Sequence, residues 1–392
     1  PVVAPSTFED LTARLLSIAA GLTPKPRLSR PALACLLGLA VLCLPGIVLT
    51  ERSRPEPLIP HMQDAAPPPG FIGGGFAVSV PSMQRVALPA ETRPQSTAQR
   101  TIQFPEDRSL GTLLVRTSPR PARYRLDPDY SAVSDWQYLG EARGTVAVPE
   151  GHIIRLEVGK SALANLSPLR ELDSDDVDAL LLEIPEDVRI NVDASVMPCL
   201  STLTGLEELE VYCRSGRLTD SGIRHISGLR NLKYLRLAGE HLGDGALAHV
   251  SALHSLEALD FVGGPTDDGL RHLTELPRLR ELAIMVNRLR GPGLAHLAQL
   301  PRLEFLRLNG TGLGNRPLHH LTGSTSLRSL TLFGGELGIT DAAAPELADM
   351  THLEELRFVW IEGITDAAMV HLKSLRRLRL LDLHSTRVTD AG

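Results

Sequence analysis

From Leu206 to the end of the chain, apolar and polar positions repeat in one frame. The pattern L-x-x-L-x-L, with Val, Ile or Phe at its last place, occurs eight times: Leu206-Leu209-Val211, Leu232-Leu235-Leu237, Leu256-Leu259-Phe261, Leu279-Leu282-Ile284, Leu303-Leu306-Leu308, Leu327-Leu330-Leu332, Leu353-Leu356-Phe358 and Leu378-Leu381-Leu383. Successive starts lie 26, 24, 23, 24, 24, 26 and 25 residues apart. Apolar-polar alternation over L-x-L has the period of a strand buried on one face, so each copy predicts a short strand with its leucines turned inward. The residues that follow, as in Leu218-Thr219-Asp220-Ser221-Gly222-Ile223-Arg224-His225-Ile226, predict a returning helix that closes on the same core, with Thr and Asp as helix N-caps. A weaker copy at Val177-Leu180-Leu182 opens the array, for eight to nine repeats across 161–392. One such unit cannot bury its own apolar face, whereas a stack of them forms a continuous core. The predicted fold is an α/β solenoid.

Upstream the periodicity changes three times. Between 101 and 160, the stretches Leu110 to Arg116, Gly144 to Val148 and Ile153 to Val158 carry β-formers between turn residues, with Trp136 and Tyr138 among them. They predict a small β-rich unit that caps the first repeat, since solenoid ends need an atypical cover. Residues 51–100 are rich in Pro, Gly, Ser and Gln and predict a disordered linker; the Gly73-Gly74-Gly75 run has neither the spacing nor the context of a phosphate loop. Residues 31–50 carry no charge, and about 20 helical residues cross a hydrocarbon layer of roughly 30 Å, so this run predicts one transmembrane helix. Arg14, Lys25, Arg27 and Arg30 before the run place 1–30 in the cytoplasm and the repeats outside it, in a periplasmic or extracytoplasmic position. Within 1–30, Ser6-Thr7-Phe8-Glu9 has the form of a capping box ahead of Leu11, Leu15 and Ile18, a short amphipathic helix. The chain starts at Pro1 and stops at Asp390-Ala391-Gly392 inside a repeat unit, so the array is expected to be truncated at its C-terminal end.

Composition narrows the function classes. A formal charge of −6 and the lack of a long Lys/Arg block argue against a nucleic-acid partner. Aromatics make up 4%, so the core is aliphatic and built at repeated positions. Cys35 and Cys43 lie in the apolar run, leaving Cys199 and Cys213 as buried fillers or one bridge; the four cysteines form neither a disulfide framework nor a zinc site. Neither G-x-S-x-G nor H-E-x-x-H occurs, and no catalytic residue, metal or cofactor is expected. His225, His249, His272, His296, His320 and His371 share one helical position, but a ladder of equivalent sites does not converge on one ion, so they are read as scaffold. Asp173, Asp175, Asp176 and Asp178 lack the glycine and distal Glu of a calcium loop and are read as an acidic turn.

The I-T-D-[AS]-G element at Leu218-Thr219-Asp220-Ser221-Gly222 recurs around Thr266-Asp267, Ile339-Thr340-Asp341, Ile364-Thr365-Asp366 and Val388-Thr389-Asp390. It resembles the bacterial and cysteine-containing branch of the leucine-rich-repeat family, with Thr311 and Thr386 where that branch carries Cys or Thr. Gly264, Arg290-Gly291-Pro292 and the longer repeats near Ile339 and Ile364 depart from the pattern and leave local helix geometry open. What the resemblance implies is recognition of a protein or glycan on the concave sheet. Over residues 8–54, LTARLLSIAAGLTPKPRLSRP and the apolar run resemble the segment joining the peptidase domain to the last membrane helix in BlaR/MecR-type antirepressor peptidases. Without H-E-x-x-H, no peptidase activity carries over.

Strand residues flanking the inward leucines face the opposite side. That rule assigns the concave, partner-binding face to Glu208, Glu210, Tyr212, Tyr234, Arg236, Asp260, Met285, Phe305, Arg307, Phe333, Arg357, Val359 and Asp382. Aromatics interleaved with Arg and acidic groups are the composition of protein interfaces. Two readings follow: a membrane-anchored, non-catalytic interaction module, or the sensor portion of a larger BlaR/MecR-like membrane metallopeptidase.

Overall fold

The computed structural model describes residues 100–117, 136–213, 217–285, 287–310 and 312–392. The expected membrane helix, amphipathic helix and linker, and Thr311, lie outside the described residues. Among the described residues, no helix is long and apolar enough to cross a membrane.

Each L-x-L copy forms a strand: β6 (Ala179–Ile184), β7 (Glu208–Cys213), β8 (Tyr234–Gly239), β9 (Ala258–Val262), β10 (Glu281–Met285), β11 (Phe305–Asn309), β12 (Ser329–Phe333), β13 (Glu355–Val359) and β14 (Leu380–Asp382). The upstream unit supplies β1 (Arg100–Gln103), β2 (Gly111–Arg116), β3 (Gln137–Glu141), β4 (Thr145–Val148) and β5 (Ile153–Val158). Strands β5 to β14 run parallel in chain order, and β2 and β3 extend the same sheet antiparallel beyond β5. β1 and β4 pair separately. The sheet runs without a break from the upstream strands into the repeats, through the parallel pairing of β5 with β6. Gly111 permits the junction: its φ is +147°, and a Cβ there would sit 2.0 Å from the Glu157 carbonyl oxygen on β5.

The register places equivalent leucines side by side. Leu209, Leu235, Leu259, Leu282, Leu306, Leu330 and Leu356 are neighbours across successive strands and are fully buried. Phe261 and Phe358 fill the last apolar place of their repeats and are the bulkiest fully buried side chains. Cys199 and Cys213 are buried and unbridged.

The return segments are shorter than the helical spacing suggests. They form α1 (Asp220–Ile223), α2 (Asp244–Val250), α3 (Asp267–Leu270), α4 (Leu294–Ala298), α5 (Ala343–Leu347) and α6 (Asp366–Leu372), with a 3-10 turn alone at Arg316–Leu321. A repeat of 23 to 26 residues leaves little chain after the strand and two turns, and Pro317 at the start of the 3-10 segment removes a donor.

Two inter-repeat ladders hold the stack. In the first, the Asp of one turn binds the Thr of the next. Asp244 accepts the Thr266 N–H and hydroxyl, both at 2.7 Å; Asp341 does the same for Thr365 at 2.7 Å, and Asp366 for Thr389 at 2.6 and 2.7 Å. Asp193 opens the ladder on Thr219 and Ser221. The motif glycine makes room for this: a Cβ at Gly269 would meet the Asp244 carboxylate at 2.1 Å, and one at Gly222 would meet Asp193 at 2.3 Å. Thr219 and Thr365 also cap their own helices, whereas Thr266 makes no such bond. The aspartates thus bridge repeats instead of capping them. The second ladder lies just before the strands, where Glu207, Lys233, Glu257, Arg280, Glu304, Arg328, Glu354 and Arg379 alternate in charge along the array. Pairs include Lys233–Glu207 at 2.5 Å, Arg280–Glu304 at 2.8 Å and Arg379–Glu354 at 3.8 Å.

The acidic turn is tied down from within. Asp176 accepts the Asp173 N–H, and Asp178 accepts the Ile154 N–H of β5; burial raises the pKa of Asp178 despite that bond.

Candidate partner-binding surface

The residues that alternate with the buried leucines form three rows across the strands. Glu208, Tyr234, Ala258, Glu281, Phe305, Ser329 and Glu355 make the first. Glu210, Arg236, Asp260, Ala283, Arg307, Thr331, Arg357 and Asp382 make the second. Tyr212, Ala238, Val262 begin the third, which continues through Met285, Asn309, Phe333 and Val359. These rows lie on the side of the sheet opposite the buried leucines.

Accessibility is another matter. Glu208, Tyr234, Phe305 and Arg357 are buried, so they are not a contact surface. Tyr234 and Phe305 form a small apolar cluster with Ala258 and Ala283 on the outward side of the sheet. Strands about 4.8 Å apart let a ring cover the alanine of its neighbour, which the alternation rule does not register. Glu210, Tyr212, Arg236, Asp260, Met285, Arg307, Phe333, Val359 and Asp382 are half-buried.

The first half of the face satisfies its own charges. Arg116 of β2 is buried, pairs with Glu208 at 2.5 Å and lies over the Trp136 ring at 4.2 Å. Arg155 pairs with Glu210 at 3.1 Å, and the Tyr212 hydroxyl donates to the same carboxylate at 3.0 Å. Arg236 lies over the Tyr212 ring at 4.8 Å and pairs with Asp260 at 3.0 Å. Burial and the Glu210 charge push the Tyr212 phenol above its ordinary range, and Tyr234 moves the same way for the same reasons. Burial opposes the charge of Arg236, but Asp260 together with Tyr212, Tyr234 and Glu210 outweighs this and raises its pKa. Asp260 is itself raised by burial, against the pull of Arg236.

Over β11 to β13 the chemistry differs. Arg307 lies over the Phe333 ring at 5.0 Å, and Phe333 meets Trp360 at 5.2 Å between ring centres. Trp360 follows β13 directly, is 41% exposed and holds a φ of 58°. A left-handed conformation in a bulky residue is strained by about 1–3 kcal/mol. An exposed, strained indole stacked on an arginine-covered ring is therefore the prominent apolar feature of this edge. Sequence reasoning missed it because Trp360 lies one residue beyond the alternating frame; its only signal was a bulky aromatic at a place that Gly239, Gly263, Gly310 and Gly334 hold in other repeats. Arg116 was also missed, since it is 92 residues from Glu208 in sequence and no local pattern joins them.

The array is a solenoid of strand-and-turn units stacked on a continuous leucine core. No protein-family model matches the chain, and no curated protein matches it in sequence. Similar solved structures include an internalin (inlF) from Listeria monocytogenes, at 16% identity and TM-score 0.28, over 56% of this chain and 84% of that one. Another is internalin C2 from the same organism, at 20% identity and TM-score 0.33, over 62% of this chain and 85% of that one.

Among the described residues, no three His, Cys, Asp or Glu side chains come together to hold a metal. The six repeated histidines sit on the return segments, half-buried in the first four and exposed at His320 and His371. Burial and the adjacent Arg224 lower the pKa of His225.

Proposed function

We propose that this chain is a non-catalytic protein-interaction module that captures its partner on the concave side of the solenoid, with the Arg307, Phe333 and Trp360 stack as anchor. The observation that carries the reading is the exposed Trp360, held in a left-handed conformation against Phe333. Trp and Arg dominate interface hot spots because they combine large contact area with directional polar groups. The self-paired charges around Glu208, Glu210, Arg236 and Asp260 shape the remainder of the face and discourage like-charged partners. Residues 31–50 tether the module to a membrane and present the repeats on its outer side, which the length and lack of charge of that run support.

The test is affinity capture with the immobilised chain, followed by mass spectrometry. The protein set recovered by the wild type should be lost with Phe333→Ala/Trp360→Ala and kept with Glu346→Ala on a return helix. Equal recovery by both variants rejects the anchor. For the tether, deleting 31–50 should move the chain from the membrane fraction to the supernatant; continued sedimentation with membranes rejects that part.

A further inference from the structure

The Asp-to-Thr ladder has one broken rung. At the place held by Asp220, Asp244, Asp267, Asp341 and Asp366, and by Asn315 with its bond from the Thr340 N–H, the fourth full repeat carries Gly291, so among the described residues no side chain bridges to the turn that follows β11 from this place. Arginine occupies the gap. Two hollows of about 340 and 480 Å³ open side by side in the turns after β10 and β11 and share Arg290. Arg288 lines the first, Arg316 and His320 line the second, and neither hollow has an acidic residue in its wall.

Arg288, Arg290 and Arg316 share their lack of an ion pair with exposed arginines such as Arg376 and Arg377, and are set apart by lining the two hollows together. Arg116, Arg155, Arg236, Arg280 and Arg387 each pair with a carboxylate, whereas among the described residues Arg288, Arg290 and Arg316 are exposed and in no ion pair. The nearby Asp267 is committed to backbone, accepting the N–H groups of Arg290, Gly291 and Gly293 at 2.9 to 3.1 Å. Arg288 is seated against Gly264, where a Cβ would lie 3.1 Å from its Nε. Gly312 and Gly314 leave the mouth open, with nothing within 4 Å of a Cβ at either. Pro292, Leu313 and Pro317 give the larger hollow apolar walls.

We infer that this double hollow binds an acidic peptide segment of a partner protein, with one carboxylate received between Arg290 and Arg316 and another at Arg288. Guanidinium groups bind planar carboxylates in a bidentate fork, and the apolar walls match the methylenes of a Glu side chain. A sulfated sugar or phosphodiester chain offers anions without that apolar stem. The overall charge of −6 also repels a long polyanion, while a short acidic segment feels mainly the local arginines within a Debye length. The site stands on these observations alone and does not depend on the Trp360 anchor.

The experiment is fluorescence anisotropy of a labelled peptide of alternating Glu and Leu, titrated with the full chain at low salt. Its Gln-Leu counterpart and labelled heparin are run in parallel. Saturable binding of the Glu peptide over the Gln peptide is expected, weakening as salt rises. Arg290→Glu/Arg316→Glu should weaken it about tenfold or more, since two attractive contacts become repulsive. Arg376→Glu/Arg377→Glu, reversing two exposed arginines elsewhere, should leave it unchanged, as should Trp360→Ala. Unfolding midpoints verify that the variants are folded. No preference for Glu over Gln, or equal loss in both double variants, overturns the site. Tighter binding of heparin than of the peptide, lost in Arg290→Glu/Arg316→Glu, overturns the peptide assignment and gives the hollow to a polysaccharide.

Discussion

Phe305 and Trp360 show how one side-chain class serves opposite ends on the same sheet. Phe305 is in the surface-facing register, yet it is 8% exposed because it leans over Ala283 on the adjacent strand. Its ring is packing material, so Phe305→Ala should lower stability by about 2–3 kcal/mol, somewhat less than a fully enclosed phenylalanine. Urea unfolding measures this, and a change under about 0.5 kcal/mol, the usual range for surface substitutions, would return the ring to the contact surface. Trp360 is the reverse case, where the backbone pays and the ring is displayed. Trp360→Ala keeps the left-handed backbone and loses the ring, while Trp360→Gly loses the ring and relieves the backbone. The Gly variant should therefore unfold at higher urea than the Ala variant, by about 1 kcal/mol. Equal midpoints would mean that the φ of 58° carries no strain. At this scale the sequence told which side of the sheet a residue lies on, since that follows from a period of two. It did not tell which residues are accessible, because that depends on the size of the neighbour across the strand.

At the scale of elements, the strands were legible and the turns were not. Every L-x-L copy from Leu206 onward forms its strand, because a buried alternating face strongly specifies register. β1 and β3 were missed: β1 has one buried residue, Ile102, and β3 exposes Gln137 and Tyr138, so neither shows an apolar period. The Thr-Asp pairs were read as helix caps, but their main bonds run between repeats, and a single turn viewed in isolation contains no sign of its neighbour. Asp244→Ala should therefore act on two units at once. It removes two hydrogen bonds and leaves the Thr266 N–H without its partner, a loss of about 1–2 kcal/mol. Hydrogen exchange should quicken around both α2 and α3; faster exchange in α2 alone would contradict a bridging role. Asp366 adds a pH signature. Its bonds from the Thr389 N–H and hydroxyl hold its carboxyl below the ordinary value of 3.8. A folded pKa below the unfolded one stabilises above the unfolded value, and that contribution disappears as pH falls through the folded value. Asp366→Asn should thus show a smaller loss of stability below about pH 4 than the wild type. Parallel acid limbs in denaturant titrations would remove Asp366 from the account.

Across the whole molecule, each repeat of a solenoid contacts mainly its neighbours, so interactions repeated at every interface weigh more than their individual strength suggests. The alternating row from Glu207 to Arg379 is of this kind. Each pair is partly exposed, and such pairs contribute about 0.2–1 kcal/mol. Alternation also means that a charge inside the row, such as Arg280, lies between two opposite charges, so reversing it converts two attractions into two repulsions. Arg280→Glu would place three carboxylates in succession, at positions 257, 280 and 304. Because the row is solvent-accessible, salt screens both the attractions of the wild type and the repulsions of the variant. The two proteins should therefore respond to salt in opposite directions: the wild-type thermal midpoint falls slightly from low to high ionic strength, and that of Arg280→Glu rises. Adding Glu304→Arg to Arg280→Glu restores the contact between those two positions with its polarity exchanged, but leaves like charges against Glu257 and Arg328. The double variant should recover only part of the loss. Full recovery would show that the Arg280–Glu304 pair acts alone, whereas partial recovery with a residual salt dependence is what a row coupled along the array requires.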